Sequence, residues 1–326
     1  MRKISKFALV ALVALRALSV LASSDAHAQS NRTFVSGHGS DSSSCTLTAP
    51  CRSFAQAVTQ TAPGGEITVL DSAGYGPVTI TQSVTITNPS GVEAGITVPS
   101  GQNGITITAA STADITLRGL TLLGGGAGAN GIVLNSSAGG SLNIIGCFIK
   151  DFTASGVAIQ PSAGTLTALI SDTYALNNGS KGINIAPTSA ASVNFAIAQV
   201  TAEGNANGIY LDASASNGRV TGVISGSHVD YNSGNGITAS GKSGSFNIYV
   251  HIKDSYATHN GSNGVSALNT GVSVGFSSGS GILLNNVYAL SNSTDIATSS
   301  GSSIFTFGNN VFGGTSGGSP TAASLR

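Results

Sequence analysis

The chain has 326 residues and no net formal charge, and only 8% of its residues are charged, against about 25% in ordinary soluble domains. So few charges exclude the basic footprint of a nucleic-acid binder or of a protein drawn to an anionic membrane surface. Glycine is abundant, at 44 residues, yet the 40% of apolar residues gather in short β-branched runs that disordered chains lack.

Residues 1–28 read as a secretory leader. Arg2, Lys3 and Lys6 precede an apolar stretch at 7–21, and Ala26-His27-Ala28 is a small-x-small cleavage site that places maturation before Gln29. Arg16 interrupts the apolar stretch, and a retained anchor is the alternative reading. Cleavage would remove four cations and one anion, leaving 9 Lys and Arg against 12 Asp and Glu, a net charge of −3. No later segment is apolar enough to span a bilayer, so the expected protein is secreted or periplasmic, and a monomer.

Export permits oxidation, and Cys45 and Cys51 bracket the short loop CTLTAPC, which Pro50 bends back. A disulfide between them is expected. Phe54, Ala57 and Val58 follow at helical spacing, and Pro63-Gly64-Gly65 is expected to stop that helix before a first strand at 66–70. Cys147 lies in the apolar run IIGCFI with no His or acid near it in sequence, which suits a buried thiol rather than a nucleophile.

From residue 103 onward a unit recurs. Its glycines stand at 104, 131, 156, 182, 208, 236 and 264, each followed by an Ile- or Val-containing run. A second run in each unit ends at Asn178, Asn205, Asn232, Asn260 or Asn292. Both runs alternate at period two, as strands do, and about 26 residues leave no room for a helix. Strands recurring in one direction imply a parallel β-solenoid. Ile132, Val157, Ile183, Ile209, Ile237 and Val265 are expected to form one inward stripe, and Ala175, Ala202, Val229, Ala257 and Ala289 a narrower one. The asparagines are expected at left-handed turn positions, with amides bonding along the axis. Residues 304–310 read as the last coil, and 313–326 as a flexible Gly/Ser/Thr/Pro tail.

Three stretches, TFVSGHGSD at 33–41, APCRSF at 49–54 and PGGEI at 63–67, resemble the N-terminal cap of right-handed parallel β-helix proteins of the pectate-lyase-like superfamily. With the repeats, the resemblance covers residues 32 to 312 and includes small secreted bacterial members without an established activity. It implies an all-β, right-handed parallel β-helix of roughly nine to ten coils behind a short capping helix. The organisation would then be a cap at 29–65, the helix at 66–312 and the tail.

Lyases and hydrolases of that superfamily would need several carboxylates converging on one face, with a cation or basic residue beside them. Here the twelve acids beyond the leader are spread at roughly one per coil. Gly37-His38-Gly39 matches a polygalacturonase sequence but precedes the solenoid, and no Asp-Asp pair occurs. Register offers Glu203 and Asp230 on adjacent coils, with His228 on the same face, as candidates for shared-proton chemistry or for Ca²⁺. Tyr174, Tyr256 and Tyr288 share one outward column with His228 and are the candidates for glycan contact, since a ring face covers the C–H face of a pyranose. The expected role is non-catalytic contact with a polysaccharide or cell-envelope glycan, requiring no cofactor. The alternative is a polysaccharide lyase or glycoside hydrolase acting on acidic polysaccharide.

Overall fold

The computed structural model describes residues 29–136, 139–242, 245, 247–268, 281–299, 302–314 and 321–322. The leader at 1–28 and most of the tail lie outside the described residues. The alternating runs wind into a right-handed parallel β-solenoid of about ten turns, the hand that parallel crossovers take in nearly every protein.

Among the described residues, three parallel sheets run along the axis. Thirteen strands form one, from Ser30–Val35 to Thr321–Ala322; nine form the second, from Val78–Ile80 to Thr294–Thr298; six short ones form the third, from Ala73–Gly74 to Thr201–Glu203. A representative coil passes through Lys181–Ile185 of the nine-stranded sheet, Ser192–Ala198 of the thirteen-stranded sheet and Thr201–Glu203 of the six-stranded sheet. Among the described residues, no helix is long and apolar enough to cross a membrane.

Both expected inward stripes are fully buried, and the first pairs coil to coil in the predicted register. Each buried Ile or Val contributes about 1.5–3 kcal/mol by leaving water, so a thin core repeated in every coil suffices.

The asparagine column is present but not where the turns bend. Asn178, Asn205, Asn232, Asn260 and Asn292 are buried, while the left-handed residue is the one before each: Asn177, Gly204, Tyr231, His259 and Ser291. That preceding residue reverses the chain, which frees the following Asn to point inward. Each amide then joins its coil to the next. Asn205 donates from its backbone N and its Nδ2 to Asn232 Oδ1 (3.0 and 3.1 Å) and from Nδ2 to Ala175 O (2.9 Å). The same pattern repeats up the column. It ends at buried Asp295, whose Oδ1 accepts from Asn292 Nδ2 at 3.1 Å and whose Oδ2 accepts from Gly313 N at 2.6 Å.

The repeat glycines serve this ladder. None has a positive φ. A Cβ at Gly156, Gly182, Gly208, Gly236 or Gly264 would lie 2.6–2.9 Å from the Nδ2 of a ladder asparagine and 2.7–2.9 Å from the carbonyl oxygen of the facing residue in the next coil.

At the N-terminal end, Ser53 caps the helix Phe54–Gln60 by accepting from Gln56 N, and Phe54, Ala57 and Val58 are buried as expected. The strands begin earlier than expected. Ser30–Val35 already pairs with Thr61–Val69, which leaves the helix directly and runs through Pro63-Gly64-Gly65. Proline is tolerated there because its missing N–H falls near the strand's start, where the pairing register is broken. Cys45 and Cys51 are joined by the expected disulfide. Cys147 is a buried free thiol, and burial pushes its pKa up to about 11, so it is no nucleophile at neutral pH.

Asp71 holds the cap to the first coil. It accepts from Ser36 Oγ (2.5 Å), Gly37 N (2.7 Å) and the Tyr75 hydroxyl (2.7 Å). Burial works to raise its pKa, but these hydrogen bonds outweigh burial and leave the carboxyl below its ordinary value. A depressed folded-state pKa gives stability that is present above about pH 4, the unfolded value, and is lost as pH falls through the folded value. The melting-temperature gap between wild type and Asp71→Asn, measured by circular dichroism, should therefore narrow below about pH 4. The glycines around His38 have a packing explanation as well, since a Cβ at Gly37 would reach Ala73 Cβ at 2.8 Å and one at Gly39 would meet Cys51 O.

Candidate functional site

The residues with the most chemistry to offer gather on one corner of the solenoid, where the chain leaves the six-stranded sheet and its continuation and turns toward the nine-stranded sheet. One outward column runs Phe148, Tyr174, Thr201, His228, Tyr256, Tyr288 in strict register. His228 and Tyr256 stack at 4.8 Å and 6°, and Tyr256 and Tyr288 at 5.0 Å and 15°. These spacings match the coil repeat of about 4.8 Å, so the backbone itself imposes the stack. Phe148 and Tyr174 meet at 6.0 Å, tilted by 45°.

The next two columns complete the corner. Asp230 Oδ1 accepts from Thr258 N at 2.8 Å and from Thr258 Oγ1 at 2.7 Å, and its Oδ2 lies 3.8 Å from His228 Nδ1. Beyond it, Tyr231 and His259 form a second stack at 4.8 Å and 14°, with His259 Nδ1 3.2 Å from Thr258 Oγ1. Sequence reading missed this pair, although the signal was available: each residue directly precedes its repeat asparagine. Toward the N-terminal coils the corner continues as a shallow open depression lined by Gly125, Gly126, Asp151, Phe152, Thr153, Asn177 and Gly179.

Glu203, Asp230 and His228 thus lie on neighbouring coils of one face, as their spacing implied. Asp230 has one oxygen committed to Thr258. Glu203 is exposed, and its carboxylate makes no hydrogen bond or ion pair among the described residues. Ca²⁺ takes six to eight oxygen ligands, and this corner offers few free ones. Among the described residues, no group of three or more His, Cys, Asp or Glu is arranged to hold a metal ion.

Most other acids are engaged in holding the coil together. Asp41 accepts from Arg52 N, Ser53 N and Ser53 Oγ, Asp114 from Ser141 Oγ, Asp212 from Ser214 N and Asp254 from Asn286 Nδ2. Glu66 pairs with Arg32, and Asp151 with Lys150. Asp151, Asp172 and Asp254 also occupy left-handed corner positions, which Asp tolerates better than most residues. On the outer face of the nine-stranded sheet, Lys181 Nζ sits 5.3 Å from the Tyr210 ring centroid, beside the buried Asn184.

At the level of sequence, no protein-family model matches the chain, and neither does any curated protein. Among solved structures, pectate lyase Pel9A matches 92% of this chain and 80% of its own length, with a TM-score of 0.64 and 17% identity. A rhamnogalacturonan lyase matches 84% of this chain and 72% of its own, with a TM-score of 0.41 and 11% identity. The likeness to pectate lyase Pel9A is one of fold, a parallel β-helix.

Proposed function

We propose that this is an exported, monomeric β-helix protein whose ring-bearing corner holds a polysaccharide or cell-envelope glycan without cleaving it. The observation that carries the reading is the pair of parallel ring stacks, His228–Tyr256–Tyr288 and Tyr231–His259, flanking the Asp230–Thr258 bond on one exposed corner. Ring edges, phenol hydroxyls and a carboxylate repeating at the coil spacing suit an extended, hydroxyl-rich chain lying along the axis. The extracytoplasmic location is supported by the leader sequence and the disulfide.

A second reading, a polysaccharide lyase, is favoured by the likeness of fold to pectate lyase Pel9A. It would require a base beside a cation-neutralised uronate, and the commitment of most acids to structural bonds argues against it. Incubating the protein with neutral and acidic polysaccharides, with and without Ca²⁺, separates the two. The binding reading expects retarded migration in polysaccharide-containing gels and no unsaturated products. Release of unsaturated products would replace it with the lyase.

A further inference from the structure

The aromatic column has one interruption. Every position from Phe148 to Tyr288 carries a ring except Thr201, which stands between Tyr174 and His228. Within each ring stack, the rings cover one another's faces. At Thr201 this covering lapses, and neither Tyr174 nor His228 has a ring against it on the Thr201 side. Tyr174 is 49% exposed and the His228 side chain 56%.

The dimensions of this gap are set by the backbone. Tyr174 and His228 are two coils apart, about 9.6 Å, which equals two stacking distances of roughly 4.8 Å. That spacing would admit one flat guest of ring thickness, above Thr201, in the place a ring at 201 would fill. Glu203, on the same short strand as Thr201, supplies acceptor oxygens at the rim, and Asp230 lies on the next coil. Two carboxylates would hydrogen-bond sugar hydroxyls and repel a uronate carboxylate.

We infer that Thr201 floors a subsite for one neutral pyranose unit, clasped between the Tyr174 and His228 rings and hydrogen-bonded through its hydroxyls to Glu203. This rests on the glycan-binding reading of the corner and adds to it a location and a ligand class, neutral sugar rather than uronic acid.

The test is calorimetric titration of the full-length protein with neutral gluco-, manno- and galacto-oligosaccharides and with oligogalacturonate. Thr201→Tyr would complete the ring column with the residue that the preceding coil already carries there, so it should fold with an unchanged or raised melting temperature. It should also weaken neutral-sugar binding at least tenfold. Tyr174→Ala should weaken it comparably, and Glu203→Gln should raise the affinity for oligogalacturonate relative to the neutral series. If Thr201→Tyr binds neutral sugar as wild type does while Tyr256→Ala does not, the subsite is wrong and the corner reading survives. If wild type prefers oligogalacturonate, the ligand class is wrong. If wild type binds none of these probes, both the subsite and the corner reading fail.

Discussion

Replacing Asn232 with Ala should cost about 4 kcal/mol of stability, read from chemical unfolding followed by circular dichroism. The asparagine Oδ1 accepts from Asn205 N and Nδ2, and its Nδ2 donates to Ala202 O and Asn260 Oδ1. Truncation to Ala leaves the Asn205 donors and Ala202 O buried without these partners, and each buried polar group left unpaired costs about 1–3 kcal/mol. The remaining amides would lose the polarisation that a continuous chain of hydrogen bonds provides. Asn232→Asp is the sharper comparison, because it keeps the Oδ1 acceptor and puts a second oxygen in place of the Nδ2 donor. It should fall between wild type and Ala at acidic pH, where a protonated carboxyl can donate, and below Ala at neutral pH, where a buried charge is added.

Gly208→Ala should destabilise by about 3 kcal/mol although it adds one methyl group and the residue has no left-handed backbone to lose. The new Cβ would lie 2.7 Å from Gly236 O and 2.9 Å from Asn232 Nδ2, and would run directly into Val229 Cγ1. The coils would have to separate at the point where the ladder amide crosses. Combining it with Val229→Ala, the residue found at that position in other coils, should recover only part of the loss, because the carbonyl oxygen remains in place. Gly64→Ala gives the contrast. Its φ is +82° with nothing within 4 Å of a Cβ, so its cost should be about 1 kcal/mol and purely conformational.

Those two positions show what sequence made legible. The period of the glycines and the alternation around them were enough to set the coil, the inward Ile and Ala columns and the outward Tyr column, because a side-chain period of two admits one register once one face is buried. The role of the glycines themselves was not legible. A turn glycine and a close-approach glycine look identical in one dimension, and only the amide of the next coil separates them. For the same reason, the left-handed turn residue sits one place before the expected asparagine: sequence marks the repeated side chain, and the bend precedes it. At the corner, Glu203, Asp230 and His228 could be placed together from spacing alone. That Asp230 spends an oxygen on Thr258 depends on rotamers that spacing does not encode. Tyr231 and His259 were missed because their column holds Asp151, Asn177, Gly204 and Ser291 in other coils, so no residue type recurs.

The chemistry of the corner follows from the same economy. A solenoid with so few charges commits most of its carboxylates to bonds between and within coils, and the unengaged Glu203 lies beside the rings. Amide hydrogen exchange of the wild-type protein, with and without a bound neutral polysaccharide, tests this most directly. Protection confined to residues 174–178, 201–205, 228–232 and 256–260 is the predicted result. Protection on the outer face of the nine-stranded sheet around Lys181 and Tyr210, with this corner unchanged, would contradict it.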